Sequence, residues 1–198
     1  MFQVLTIHKD DSKYRIVGID AGTSHLGCSL IEMDLITGEV FLIDSYTIVI
    51  SPRELRRYAL MEENHGTRYA RLHAMCVHLE HQFQTFQPHT IICESPFLGK
   101  FANAFAALTE CLLFIKNVVH AYNPYMTLEK VDPKSAKLAV DSPANSKDKT
   151  LVQLAITKLD WLNVPPHIDI MRLDEHSTDS IAVACFKVAQ IKEWINRS

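Results

Sequence analysis

The sequence predicts an α/β fold, a mixed sheet covered by helices on both faces. Three observations carry this. Three β-rich runs separated by short turns open the chain. A helix–strand–helix–strand order follows, and the remainder is helical in pattern. No repeat, low-complexity tract or flexible linker divides the 198 residues, so residues 1–198 are expected to form one domain with a substantial core.

The first run, Ile16, Val17 and Ile19, ends on Asp20 and a Gly-Thr-Ser turn, which marks a buried central strand. Leu26–Asp34 and Val40–Ile50 flank a turn at Asp34–Glu39 and complete an antiparallel meander. Ser51-Pro52 then supplies a cap and a first-turn proline for a long helix over Arg53–Gln87, with a break signalled at Asn64-His65-Gly66. Tyr69, Leu72, Cys76, Leu79, Phe83 and Phe86 give that helix one apolar stripe. Pro88 stops it, and His89–Glu94 is a short strand that again finishes on a carboxylate.

Phe101–Tyr122 is helical by period and apolar on two sides, so both of its faces are expected to be covered. Tyr125–Val131 reads as a strand, Pro133–Val140 and Lys147–Leu159 as helices, Ile168–Met171 as a short strand and Glu175–Ile195 as a terminal helix. Trp161–His167, with its Pro-Pro pair, reads as a loop.

No apolar run is expected to span a bilayer, and the N-terminal residues lack the layout of an export signal, so no membrane partner is expected. The five cysteines are scattered and never form C-x-x-C, which suits reduced core thiols in an intracellular protein. A net charge of −3 leans mildly against a nucleic-acid partner, although a local lysine patch can override the total.

Three acids stand out by position. Asp20 and Glu94 each end a strand, and Asp179 lies near the start of the last helix, three residues from His176 and hence on the same face. Ligands of α/β sheets gather beyond strand ends, so these four groups can converge. Each acid alone is equally compatible with a turn or helix cap, as is the nearby Asp174. Converging carboxylates without Arg or Lys repel one another, and a divalent cation such as Mg²⁺ or Mn²⁺ relieves this. Two such ions activate water and stabilise a leaving oxygen in phosphodiester hydrolysis.

The segments I-V-G-I-D-A-G, I-I-C-E-S-P-F and H-S-T-D-S-I-A-V-A closely resemble those of the RuvC-type Holliday junction resolvases. The resemblance covers nearly the whole chain. It implies a ribonuclease H-like α/β/α sandwich with a mixed five-stranded sheet, a single RuvC-like nuclease domain. It further implies Mg²⁺-dependent cleavage, with two ions per site and Mn²⁺ as a substitute, by a homodimer acting on four-way DNA junctions. Asp20, Glu94, His176 and Asp179 would be metal ligands, His176 standing where many members carry Asp.

By the same resemblance, Lys149 would lie close to the scissile phosphate and Lys137 would contact DNA, with Phe97 wedging against bases. Phe97 also suits a hydrophobic loop. Lys130, Lys134, Lys137, Lys147 and Lys149 could line DNA backbone, extended by Lys100 and Asn103, or could form a solvated basic face. The Phe101–Tyr122 helix would pack against its twin, and the expected location is the cytoplasm of a bacterium or a phage-infected host.

Other readings keep less of the sequence. G-I-D-A-G-T-S also resembles the first phosphate loop of actin-like sugar kinases, but that fold needs a second glycine-rich turn and the last glycine here is Gly99. A non-catalytic relative would be expected to lack one of the acids. The same chemistry on another branched DNA or an RNA–DNA hybrid stays open. His73, His78 and His81 on the long helix lack a third ligand or a neighbouring acid and carry no metal site on spacing alone.

Overall fold

The central strand β1 (Lys13–Asp20) is apolar on both faces through Ile16–Ile19, and it lies in the middle of the sheet. A computed structural model describes residues 12–96, 102–144 and 150–197. β2 (Leu26–Asp34) and β3 (Val40–Ile48) follow β1 as the expected antiparallel meander. β4 (Thr90–Glu94) and β5 (Leu128–Val131) add in parallel on the other side. A two-residue β6 (Leu162–Asn163) completes the order β5-β4-β1-β2-β3-β6.

The sheet is therefore six-stranded, not five. The sixth strand falls in the segment that reads as a loop, because two residues beside a Pro-Pro pair carry no periodicity. It forms by pairing alongside Val40 and Phe41, with the Asn163 side-chain amide donating to the Val40 carbonyl at 3.0 Å. Ile168–Met171 is not a strand; the chain there makes a 3₁₀ turn over Ile170–Arg172, capped by Asp169.

Ser51 caps α1 (Pro52–Leu55) as expected, its Oγ accepting the Glu54 N–H at 3.2 Å. The long helix expected after it breaks at Gly66 as signalled and a second time, unexpectedly, at Arg56–Tyr58. A 3₁₀ turn at Arg56–Tyr58 leads into α2 (Ala59–His65), and Gly66, at φ 87°, redirects the chain into α3 (Thr67–Phe86). A positive φ is open to glycine at little cost, which is why the break falls there. Leu72, Cys76, Leu79 and Phe83 form the buried stripe of α3.

α4 (Ala102–Tyr122) docks on α3 through Cys111, Ile115, Val118 and Val119, an Arg68–Glu110 ion pair and an edge-on Tyr69–Phe114 contact. Among the described residues only this face is covered; Leu113 on another side is 57% exposed. Contrary to expectation, α4 is long and apolar enough to cross a bilayer by length and composition. α5 (Pro133–Leu138) and α6 (Thr150–Ile156) lead to the terminal α7 (Glu175–Arg197).

Two cores result. One lies between the sheet and α5–α7, built on Ile16, Ile31, Leu42, Ile92, Ile181 and Val188. The other lies between the sheet and α3–α4, built on Val17, Ile19, Leu30, Phe83, Ile91 and Ile115. All five cysteines are buried and unpaired, as core thiols should be.

α7 lies unusually close to β1 and β2 because two glycines make room. A Cβ at Gly18 would stand 2.4 Å from the Ser180 carbonyl oxygen and 2.7 Å from the Ala184 Cβ, and one at Gly27 would stand 2.0 Å from the His176 carbonyl oxygen. Gly18→Ala is therefore expected to push α7 off the sheet and cost about 1–3 kcal/mol. Urea denaturation checks this; an unchanged midpoint would show that the helix can yield.

Candidate active site

β1 and β4 are parallel neighbours with Ile19 beside Cys93, so their last residues, Asp20 and Glu94, emerge side by side at one rim. α7 brings the other two groups there. A seam of hydroxyls stitches its first turns to the meander. Ser29 donates to the Ser180 carbonyl (2.8 Å) and Ser45 to the Ser177 carbonyl (2.9 Å). Thr47 donates to Asp174 Oδ1 at 2.6 Å.

Asp174 also accepts the Ser177 N–H at 3.0 Å and so acts as the helix cap. Burial pushes its carboxyl up, but the Thr47 and Ser177 hydrogen bonds outweigh that and hold it below the ordinary carboxylate range. The spare acid is thus used structurally. Asp179 and His176, freed from capping, face β1.

His176 Nδ1 lies 2.7 Å from Asp20 Oδ2; the ring nitrogen donates and the carboxylate accepts. This hydrogen bond is the main cause that raises the imidazole pKa, and the Asp20 charge adds to it. Burial first, then the Asp20 and Asp179 charges, raise the Glu94 carboxyl to about 8. Burial and Asp20 raise Asp179 to about 6. Lys137, half-buried on α5, opposes both shifts. The three acids therefore share one electrostatic neighbourhood.

Among the described residues no three His, Cys, Asp or Glu side chains are drawn together tightly enough to form a finished metal cage. The donor set nonetheless fits a hard divalent cation. Oxygen ligands predominate, and burial with the Asp20 charge holds the Glu94 and Asp179 carboxyls at a raised pKa, a charge imbalance that a cation would cancel.

Other expected site residues fall as follows. Lys134 is exposed on α5, Lys130 is exposed on β5, and Asn103 is exposed in the first turn of α4. Phe97, Lys100, Lys147 and Lys149 lie outside the described residues. His78 is hydrogen-bonded to Glu54 at 2.6 Å, so an acid does adjoin that face, and His73 meets Tyr58 edge-on.

Sequence reasoning missed His25. Its ring stacks on His176 with centroids 5.4 Å apart and planes 8° from parallel, restricting how the imidazole on Asp20 can turn. The T-S-H run directly after Asp20-Ala21-Gly22 was the available signal.

Neither a family model nor a curated protein matches this sequence. Solved structures do. Thermus thermophilus RuvC in complex with a Holliday junction substrate aligns over 90% of this chain and 96% of its own, at TM-score 0.62 and 17% identity. Thermus thermophilus RuvC in a second structure gives the same coverage and TM-score at 18% identity. The chain has the ribonuclease H-like fold of RuvC. A fowlpox virus Holliday junction resolvase also aligns, over 90% and 99% of the two chains, at TM-score 0.47 and 14% identity. On this RuvC fold the acids occupy the strand-end rim where α/β sheets gather their ligands.

The raised carboxyls set a pH dependence. Folded Glu94 and Asp179 hold their protons more tightly than the unfolded chain does, so between about pH 4.5 and 8 the folded state binds more protons. Stability then falls as pH rises through that window. His176, also raised, acts in the same direction. Thermal melts in EDTA should give a Tm that declines from pH 5 to pH 8, with a shallower decline in Glu94→Gln. A Tm that climbs across the window, or a slope that Glu94→Gln leaves intact, would contradict the assignment.

Proposed function

We propose that this chain is a structure-selective, metal-dependent endodeoxyribonuclease that resolves four-way DNA junctions by paired nicks. One observation carries the reading. Asp20, Glu94 and Asp179 are brought to a single rim of a RuvC fold, half-buried and mutually repelling, with His176 bonded to Asp20.

In this reading Asp20, Glu94, Asp179 and His176 hold Mg²⁺, two ions per site, with Mn²⁺ able to replace it. The bound ions would lower the pKa of water and offset charge on the phosphate. The protein's own part is orientation. His176 fixes the direction of the Asp20 carboxylate through Nδ1, and His25 limits rotation of that imidazole. Lys137 moderates the negative field at the rim. A lysine close to the scissile phosphate, the role given to Lys149, would offset developing phosphoryl charge. Phe97, Lys100, Asn103, Lys134, Lys137 and Lys147 complete the proposed DNA contacts.

The uncovered side of α4 supports a homodimer, in which a two-fold axis would present two sites to opposed strands. The five buried free thiols suit the reducing cytoplasm of a bacterium or a phage-infected host.

The test is cleavage of a labelled four-way junction beside a flap, a linear duplex and an RNA–DNA hybrid. Nicks are expected on the junction with Mg²⁺ and none in EDTA. Asp20→Asn should bind the junction within a few-fold of the parent yet cut at least about 100-fold more slowly. Cutting at the parental rate would overturn the metal assignment, and preferential cutting of the hybrid would overturn the substrate.

The dimer is tested separately. Leu113→Asp should sediment as a monomer where the parent sediments as a dimer. A parent that is monomeric at micromolar concentration would remove the paired-nick reading.

A further inference from the structure

The excursion between β3 and α3 lends its inner face to a core and leaves its outer face without a role at the acid rim. Its inner face is anchored. Leu55 and Tyr58 pack on the α3–α4 core, Tyr58 meets His73 edge-on, and Glu54 bonds His78 of α3. Arg53, Arg56 and Arg57 lie within two turns of one another, with Arg53 three residues from Arg56 and four from Arg57. All three are exposed, and none makes an ion pair among the described residues. The neighbouring acids are differently engaged: Glu54 is turned inward to His78, and Glu62 accepts from Thr67 Oγ1 at 2.7 Å.

Three like charges this close in the chain, none of them ion-paired among the described residues, repel one another in the free protein. A polyanion removes that penalty. The chain's net charge of −3 cannot draw one to this place, so attraction here has to be local.

The topology says which polyanion. Gly27 pairs with Asp20 on one side and with Thr47 on the other, so β3 ends at the same rim as Asp20. Ser51 begins the excursion four residues beyond Thr47, roughly 15–20 Å from Asp20 by strand spacing and rise. That distance is about five nucleotides of one DNA strand at ~3.4 Å each. Beside the arginines runs a groove lined by Arg57, Tyr58, Met61, Asn64, His65 and Tyr69, which offers further donors and aromatic faces.

We propose that Arg53, Arg56 and Arg57 form a phosphate-binding platform for an arm of the DNA that is engaged at the acid rim. The platform rests on the nuclease reading and deepens it by assigning a second contact surface, on the α3 flank of the sheet and apart from the expected lysines. Its inner anchors, Leu55 and Tyr58, hold the backbone of the turn against α3, while the three exposed side chains stay free to reach phosphates.

The test is fluorescence anisotropy of the full-length protein with a four-way junction and with a linear duplex, in EDTA, from 50 to 300 mM KCl. The Arg53→Ala/Arg56→Ala/Arg57→Ala variant should bind at least about tenfold more weakly at 100 mM salt. Its log K against log [KCl] slope should be smaller by about 2 to 3, close to 0.9 per lost phosphate contact. Arg56→Lys/Arg57→Lys should keep most of the slope. Should the triple variant fail to fold, Arg56→Ala and Arg57→Ala singly are expected to lower the slope by about 0.9 each. A parent that binds with a slope the variants share overturns the platform alone. A parent that binds neither DNA overturns the platform and the nuclease reading together.

Discussion

The burial of acidic side chains beside one another at a single rim is the constraint on which this molecule is built. Two strand tips and one helix bring Asp20, Glu94 and Asp179 to the same rim, where burial and mutual repulsion raise Glu94 to about 8 and Asp179 to about 6. Such a rim is costly for a chain that merely needs to fold. The cost is carried by the cores on either side of the sheet.

The geometry of the rim depends on how closely α7 approaches the sheet. Gly18 and Gly27 remove the side chains that would hold it away, and Ser29, Ser45 and Thr47 tie its first turns to β2 and β3. Asp174 takes the capping role, which leaves Asp179 and His176 to face β1. Small residues at the interface are thus as much a part of the site as the acids, because they set where the acids can stand. The α4 flank and the arginine excursion then extend from the same sheet, each presenting a surface that no other described residue covers.

Much of the fold was legible in the sequence where one period held over several turns or a whole strand. β1–β4, α3, α4 and α7 follow from alternation, from three-four stripes and from the Ser51-Pro52 and Pro88 signals. The misses have a common cause. β6 has two residues and exists only because Val40 and Phe41 offer an edge. The 3₁₀ turn at Ile170 looked like a strand because a short apolar run carries no period. The helix expected over Arg53–Gln87 is split a second time at Arg56–Tyr58, since the inner side chains Leu55 and Tyr58 must reach the α3–α4 core.

For the site, residue types and their placement at element ends could be read from local pattern: acids after apolar strands, and His176 and Asp179 on one helical face. Packing alone made Asp174 a cap, bonded His176 to Asp20, stacked His25 on that ring, and left three arginines without an ion pair among the described residues on the α3 side of the sheet. The physical reason is range. Periodicity and capping act over a few neighbouring residues, whereas the hydrogen bond between Asp20 and His176 joins side chains 156 positions apart in the chain. No local pattern encodes such a pairing; the packing of α7 on β1 creates it.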